Sequence, residues 1–293
     1  MTRNQVDSRA SREIKRNLNR RILRSTTLNI LILVIVCCVI MALSMQSLAN
    51  NILLDSLQPM ARQSAKTVEA NIHMLADRMM AIAGDTRMSA GTDEAGTVKA
   101  ERAAVLEEAA EIYELYTIAL YSLDGRLAQG IDGAPESLDS GFLSLLQETD
   151  TLTINSSTIF QDQLGITMGM PVKEDGETVL YVMGVYQYDT LNDVISSINL
   201  GKSGRAYMVN REGIVTGHPD QALARNKSTL LQLCDGNEDA AGRITAGETG
   251  AAEFPIDGEQ MLLAFSPIRG TQWSLVIQIP KSDYSSLING AML

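Results

Sequence analysis

Between Arg24 and Asp55 the chain carries no charged side chain, and Ile30 to Leu43 is apolar throughout. A helix needs about 20 predominantly apolar residues to cross the hydrocarbon core of a bilayer, so this stretch predicts a transmembrane helix over 25–48. Eight basic residues precede it (Arg3, Arg9, Arg12, Lys15, Arg16, Arg20, Arg21 and Arg24), opposed only by Asp7 and Glu13. Under the positive-inside bias the leader, 1–24, stays in the cytoplasm and everything after Ala49 lies outside. The expected location is the cell membrane, with an extracytoplasmic domain. A cleaved secretion signal is the alternative, since Ser47-Leu48-Ala49 has the small-x-small pattern of a cleavage site. The long leader, and a helical pattern that runs on through the would-be cut, favour an uncleaved anchor.

Charge narrows the partners. The net charge is −11, and removing the leader's eight basic and two acidic residues leaves −17 for the remainder. So acidic a surface disfavours nucleic acid and anionic lipid headgroups. Cys37 and Cys38 fall in the apolar stretch and Cys234 is the only thiol beyond it, so no intramolecular disulfide is expected outside. The chain beyond residue 48 is long enough for two modules of about 100 residues each.

The first external element reads as a long helix, 49–88. Val68, Ile72, Leu75, Met79 and Ile82 recur at 4-3-4-3 spacing, extended backwards by Leu54, Leu57 and Ala61. Such a seam buries one stripe against a partner, and it predicts a stalk that pairs with a second copy in a homodimer. The same periodicity also describes a plain core helix. Pro59 predicts a kink or restart, because proline removes a backbone donor. His73 lies off the seam and reads as a surface residue.

After a Gly-, Thr- and Asp-rich break, Gly84–Gly96, and a helical pattern over Lys99–Leu115, one layout occurs twice. Thr117-Ile-Ala-Leu-Tyr-Ser-Leu-Asp-Gly125-Arg-Leu-Ala and Arg205-Ala-Tyr-Met-Val-Asn-Arg-Glu-Gly213-Ile-Val-Thr are each strand, turn, strand, with turn glycines 88 residues apart. Ile166–Val172 with Val179–Tyr186, and Gln260–Ile268 with Trp273–Ile279, read as a second repeated pair, their prolines Pro171 and Pro267 separated by 96 residues. Two matches in one order at similar offsets predict an internal duplication, each copy an antiparallel sheet with helices at one side. The fold class is α+β. A helix bearing Leu191, Val194, Ile195 and Ile198 on one face bridges the copies and ends before Gly201. Lys281 to Leu293 reads as the start of a further helix, cut short at a truncated boundary.

These residues resemble a family. Tyr186-x-Tyr-x-x-Leu-Asn-Asp193, then Gly-Lys-Ser-Gly-Arg-Ala-Tyr-Met-Val-Asn over 201–210, Gly-Ile-Val-Thr-Gly-His-Pro and the closing Trp-Ser-Leu-Val-Ile-Gln-Ile-Pro are similar to the double Cache, PAS-like sensor domain of bacterial transmembrane receptors, notably methyl-accepting chemotaxis proteins. The resemblance covers Leu48 to Tyr284. It implies two tandem PAS-like modules, a membrane-distal one at 89–190 and a membrane-proximal one at 191–280, with 281–293 turning back towards the membrane. It also implies a small molecule held by the distal module and a signal carried through helices to a cytoplasmic output. The output expected is that of a chemotaxis receptor; a histidine kinase, a diguanylate cyclase or a tethered binding protein without output are alternatives. The amino-acid-binding members carry an Arg-x-Trp-Tyr run after the first hairpin and an aspartate in the last distal strand. Here Gly141-Phe-Leu-Ser-Leu-Leu146 and Tyr186 or Gln187 stand in those places. With no carboxylate to hold an α-ammonium group, a less polar, anionic or aromatic ligand, or no direct ligand, is left open.

Catalysis finds little support. The two histidines, His73 and His218, are far apart, no cluster has metal-ligand spacing, and Gly201-Lys202-Ser203 lacks the leading glycine of a phosphate loop, where Ser196 stands. No catalytic residue, metal or cofactor is expected. His218 reads as a packing or surface histidine. Candidate ligand contacts are Tyr121, Arg126, Thr167, Met168, Met170, Tyr181, Met183, Tyr186 and Tyr188, because tyrosine and methionine make adaptable apolar walls with a few polar tips. Strand alternation lets only about half of them face one side.

Overall fold

The computed structural model describes residues 3–89, 96–198 and 203–283. Helix α1 runs from Arg3 to Ala83. The chain divides into two compact units, Met1–Leu53 and Leu54–Leu293.

The first unit is helical throughout its described length. Its apolar side chains stand outwards on every side of the helix: Ile30 is 60 % exposed, Leu33 64 % and Met41 68 %. Among the described residues no helix is long and apolar enough to cross a membrane, so the transmembrane helix expected over 25–48 is not found as such. The side chains of the leader lie outside the described residues.

In the second unit, α1 buries Leu57, Ala61, Ala65, Val68, Ile72, Leu75, Met79 and Ile82, each at 4 % exposure or less. The seam is real, but its partner is this chain's own sheets. That corrects the expected stalk-to-stalk seam: the plain core-helix reading describes it better. Pro59 sits inside α1 without a restart; Leu57 and Ala61 on either side are fully buried, and that packing offsets the lost backbone donor. His73 is exposed and lies 3.8 Å from Glu69. Beyond α1 come the short helix α2, Thr86–Ser89, and α3, Gly96–Ile112.

Two five-stranded sheets complete the unit. The first is built from β1 (Leu115–Tyr121), β2 (Leu127–Gly130), β3 (Thr153–Phe160), β4 (Gln163–Glu174) and β5 (Glu177–Gln187), in the order β2-β1-β5-β4-β3. The second has β6 (Arg205–Asn210), β7 (Val215–Gly217), β8 (Gly250–Ile256), β9 (Glu259–Pro267) and β10 (Trp273–Pro280), in the order β7-β6-β10-β9-β8. Every neighbouring pair is antiparallel. The repeated segments take equivalent places, and their turn glycines Gly125 and Gly213 have φ of 82° and 75°, a region open to glycine at no steric cost.

Helix α4 (Ser140–Thr149) covers the first sheet, and α5 (Asp189–Ser196) comes after β5. Helices α6 (Gln221–Arg225), α7 (Leu230–Leu233) and α8 (Glu238–Thr245) cover the second sheet. Tyr207, Val209, Phe265 and Val276 pack there with Ala224, Leu230 and Ile244. Leu164 of β4 and Tyr188 bury in that same core, and both sheets belong to the one unit Leu54–Leu293. On α5, Leu191 and Ile195 are buried and Val194 is half-buried, as is Ile198 two residues beyond the helix. Gly201 and Lys202, and the helical stretch read for 284–293, lie outside the described residues.

Candidate ligand site on the first sheet

Alternation along β1, β4 and β5 sorts the site residues by face. Tyr121 pairs with Tyr181, Ala119 with Met183, and Thr117 with Val185. Across the next ladder Tyr181, Met183 and Val185 meet Pro171, Gly169 and Thr167. These residues share the face under α4, where Ala119, Tyr121, Tyr181, Met183 and Val185 form one buried cluster with Leu138, Phe142 and Leu146. Helix α4 is started by Asp139, whose Oδ1 accepts from the backbone N–H of Gly141 and Phe142 at 3.0 Å each. That cap aims Phe142 and Leu146 at the sheet. Gly169 is the contact point: a Cβ there would lie 3.0 Å from the Phe142 ring and 3.3 Å from Leu146.

The opposite face meets α1. A Cβ on Gly184 would sit 3.3 Å from the Met79 sulfur, and the Tyr186 hydroxyl donates to the Leu75 carbonyl at 3.2 Å. Met168 pairs with Gly184 and Met170 with Val182, so both methionines share this α1 side.

The expected ligand contacts therefore separate. Tyr121, Thr167, Tyr181 and Met183 come together under α4. Met168, Met170 and Tyr186 belong to the α1 side. Tyr188 is buried in the second core, where its hydroxyl accepts from the His218 N–H at 2.8 Å and burial pushes its pKa up to about 12. Arg126 is exposed and pairs with Asp124 at 3.2 Å.

The α4 face is apolar and tyrosine-rich. Tyr121 donates to the Pro135 carbonyl at 3.0 Å, and burial holds its phenol well above the ordinary range. The Tyr181 phenol is raised by burial and, to a lesser degree, by Asp150. That carboxylate is itself tied to Lys173 at 2.5 Å and Thr178 at 2.9 Å, with its pKa lowered chiefly by the Lys173 hydrogen bond. Thr117 is the exception to this satisfied network. It is fully buried, and its Oγ1 has no hydrogen-bond partner among the described residues. An unmet hydroxyl in an apolar interior costs about 1–3 kcal/mol, which a ligand or a water with a polar atom in reach would relieve.

Thr117, Phe142, Leu146, Leu138 and Val185 were not among the expected contacts. The Phe142–Leu146 spacing behind a capping Asp139 is a sequence signal for a helix covering a sheet; nothing local marks Thr117 as unpartnered. In the second core His218 is 3 % exposed. Its Nδ1 accepts from the Asp220 N–H at 2.8 Å, which leaves the proton on Nε2, and burial lowers its pKa. Cys234 is a free, buried thiol whose pKa burial pushes up to about 11. No group of three or more His, Cys, Asp or Glu side chains able to hold a metal occurs among the described residues.

Elsewhere, three clefts open among the described residues. One of about 200 Å³ lies between the end of α1 and α3, with Asp85, Arg87, Glu108 and Tyr113 in its wall. A second, of about 450 Å³, lies beside α5 and His218. A third, of about 260 Å³, lies between α1 and the second sheet. None of the three takes a wall from the expected ligand contacts.

Known proteins place this fold. The chain is similar to the methyl-accepting chemotaxis proteins McpG of Pseudomonas putida, 26 % identical over 147 residues (48 % of this chain, 22 % of that one), and PctB of Pseudomonas aeruginosa, 25 % identical over 129 residues (43 % and 19 %). It spans about a fifth of the length of these relatives. In structure it is similar to the ligand-binding domain of the Pseudomonas fluorescens chemoreceptor CtaA, solved with L-isoleucine, at a TM-score of 0.65 and 20 % identity over 81 % of this chain and 96 % of that one. The ligand-binding domain of Pseudomonas aeruginosa PctB, solved with L-Arg, gives 0.61 and 20 % over 78 % and 96 %. The family model described as Cache domain (dCache_1) matches residues 44–288, and the chain belongs to the Cache domain family.

Proposed function

We propose that this chain is the extracytoplasmic ligand-sensing region of a transmembrane receptor of the methyl-accepting chemotaxis class, a sensor rather than an enzyme. Family membership and the chemoreceptor relatives support the class. The charge-free run after the basic leader supports a membrane anchor over 25–48 with the N-terminus in the cytoplasm. So do the large apolar side chains between Leu28 and Leu43, which point outwards at 47 % exposure or more, since a helix apolar all round suits surroundings other than water. In this reading 49–88 is the helix leading from the membrane, 89–190 the distal module, 191–280 the proximal module and 281–293 the return. The matching strand orders of the two sheets support the tandem division. A homodimer would use a surface other than the Val68–Ile82 seam, which is buried in the chain's own core.

The observation that carries the site is the buried, unpartnered Thr117 Oγ1 on a face otherwise made of Tyr121, Tyr181, Met183, Phe142 and Leu146. That face suits a small, uncharged, largely apolar ligand with one polar atom for Thr117. The amino-acid ligands of the structural neighbours would find no free carboxylate there among the described residues, the nearby Asp150 being tied to Lys173 and Thr178. Ligands that bind the folded state raise its melting temperature, so a thermal-shift screen of the full chain against metabolites of every charge class tests the reading. Stabilisation by uncharged compounds, lost in Thr117→Val, is expected. Stabilisation by zwitterionic amino acids alone, or hits indifferent to Thr117→Val, would overturn it.

A further inference from the structure

The cleft between α1 and the second sheet is lined by three basic side chains and one acidic one. Arg62, Ala65, Lys66 and Glu69 line it from α1, and Thr249, Ser266, Pro267 and Arg269 from the sheet side. Positions 62, 65, 66 and 69 succeed one another at helical spacing, so all four side chains point the same way. Ala65 and Ser266 are buried at 2 % and 4 % exposure and form the floor. There the Thr249 and Ser266 hydroxyls lie 3.4 Å apart, and Gln58 donates to the Thr249 carbonyl at 3.4 Å.

Three cations stand at the rim. None of Arg62, Lys66 and Arg269 has an acidic partner among the described residues. The one carboxylate in the wall, Glu69, turns towards His73. With Glu69 ionised the cleft still carries a net +2, in a chain of net −11. Unpaired cations converging on a cavity with hydroxyls at its base can receive the oxygens of an anion by charge-assisted hydrogen bonds.

We propose that this cleft binds a small multivalent oxyanion of the phosphate or polycarboxylate type, clamping α1 to the loop ends of β9 and β10. The site is separate from the Thr117 face and stands whether or not that face binds a ligand. Bridging two elements gives the anion a handle on how α1 seats against the second sheet.

The test titrates the full chain with inorganic phosphate and with citrate by calorimetry, at ionic strength held constant with chloride. The wild type should bind saturably, and Thr117→Val should bind equally well. Arg62→Gln, Lys66→Gln and Arg269→Gln should each weaken binding by about threefold to tenfold, and the triple variant should abolish it. Arg62→Lys with Arg269→Lys, which keeps the charge, should retain most of it. Phosphate also stabilises proteins by exclusion from their surface, an effect that neither saturates nor depends on these three side chains, so saturation and the variants tell binding from exclusion. No saturable heat, or equal binding by wild type and triple variant, would overturn the proposal.

Discussion

Leu75→Ala separates the two roles that the α1 seam can play. Leu75 is fully buried, one turn from Met79 and Ile72, and its carbonyl receives the Tyr186 hydroxyl. A buried leucine cut back to alanine costs about 2.7–5 kcal/mol, depending on how far the cavity collapses. At about 2–4 °C per kcal/mol for a unit of this size, the melting temperature should fall by roughly 5–20 °C. Met74 beside it is 41 % exposed, so Met74→Ala should stay within about 0.5 kcal/mol of the wild type. Thermal unfolding of the full chain followed by circular dichroism reads both, with light scattering at several concentrations to report oligomeric state. If Leu75→Ala leaves the melting temperature unchanged and instead dissociates an oligomer, the seam joins two chains and the packing described here is wrong.

The same contacts carry other consequences. Tyr186→Phe removes a buried hydroxyl bond to Leu75 and should lower stability by about 0.5–1.5 kcal/mol, measured by urea unfolding. Gly169→Val should force Phe142 and Leu146 off the sheet at about 1–3 kcal/mol, and in the proposed sensor it should also abolish ligand stabilisation. Burial sets the folded pKa of His218 below its ordinary 6.5. The unfolded chain then binds more protons between the two values, so stability falls as pH drops from 6.5 towards the folded pKa and levels off below it. In His218→Asn that part of the pH dependence should vanish from denaturant midpoints taken at several pH values.

The hairpins and antiparallel strand pairs were legible because their chemistry is local. Asp124-Gly125 and the turn at Gly213 mark hairpins, and the apolar strands beside Pro171 and Pro267 mark central ladders. β3, Thr153–Phe160, and β8, Gly250–Ile256, escaped notice: one is half polar, the other carries alanines and Pro255, so neither has a strong strand composition. The α1 seam was visible, but periodicity says that a stripe is buried and not what buries it. At the site, alternation correctly foretold that the expected residues would divide between two faces. Which face receives α1 and which α4 is set by contacts far apart in sequence, such as Tyr186 with Leu75 and Gly169 with Phe142. Thr117 escaped for a related reason, since a lost hydrogen bond is a property of surroundings.

The claim that most needs testing is that one sheet joins two neighbours, the proposed ligand face under α4 and the Met79–Leu75 stripe of α1 on its other side. Amide hydrogen exchange of the full chain, with and without the compound that stabilises it most in the screen, tests that directly. A coupling of about 1–3 kcal/mol corresponds to roughly 5–150-fold, so exchange should change by such a factor over Val68–Ile82 as well as over β1 and β5. Protection confined to α4 and the loop before it, with α1 unchanged, would contradict the account.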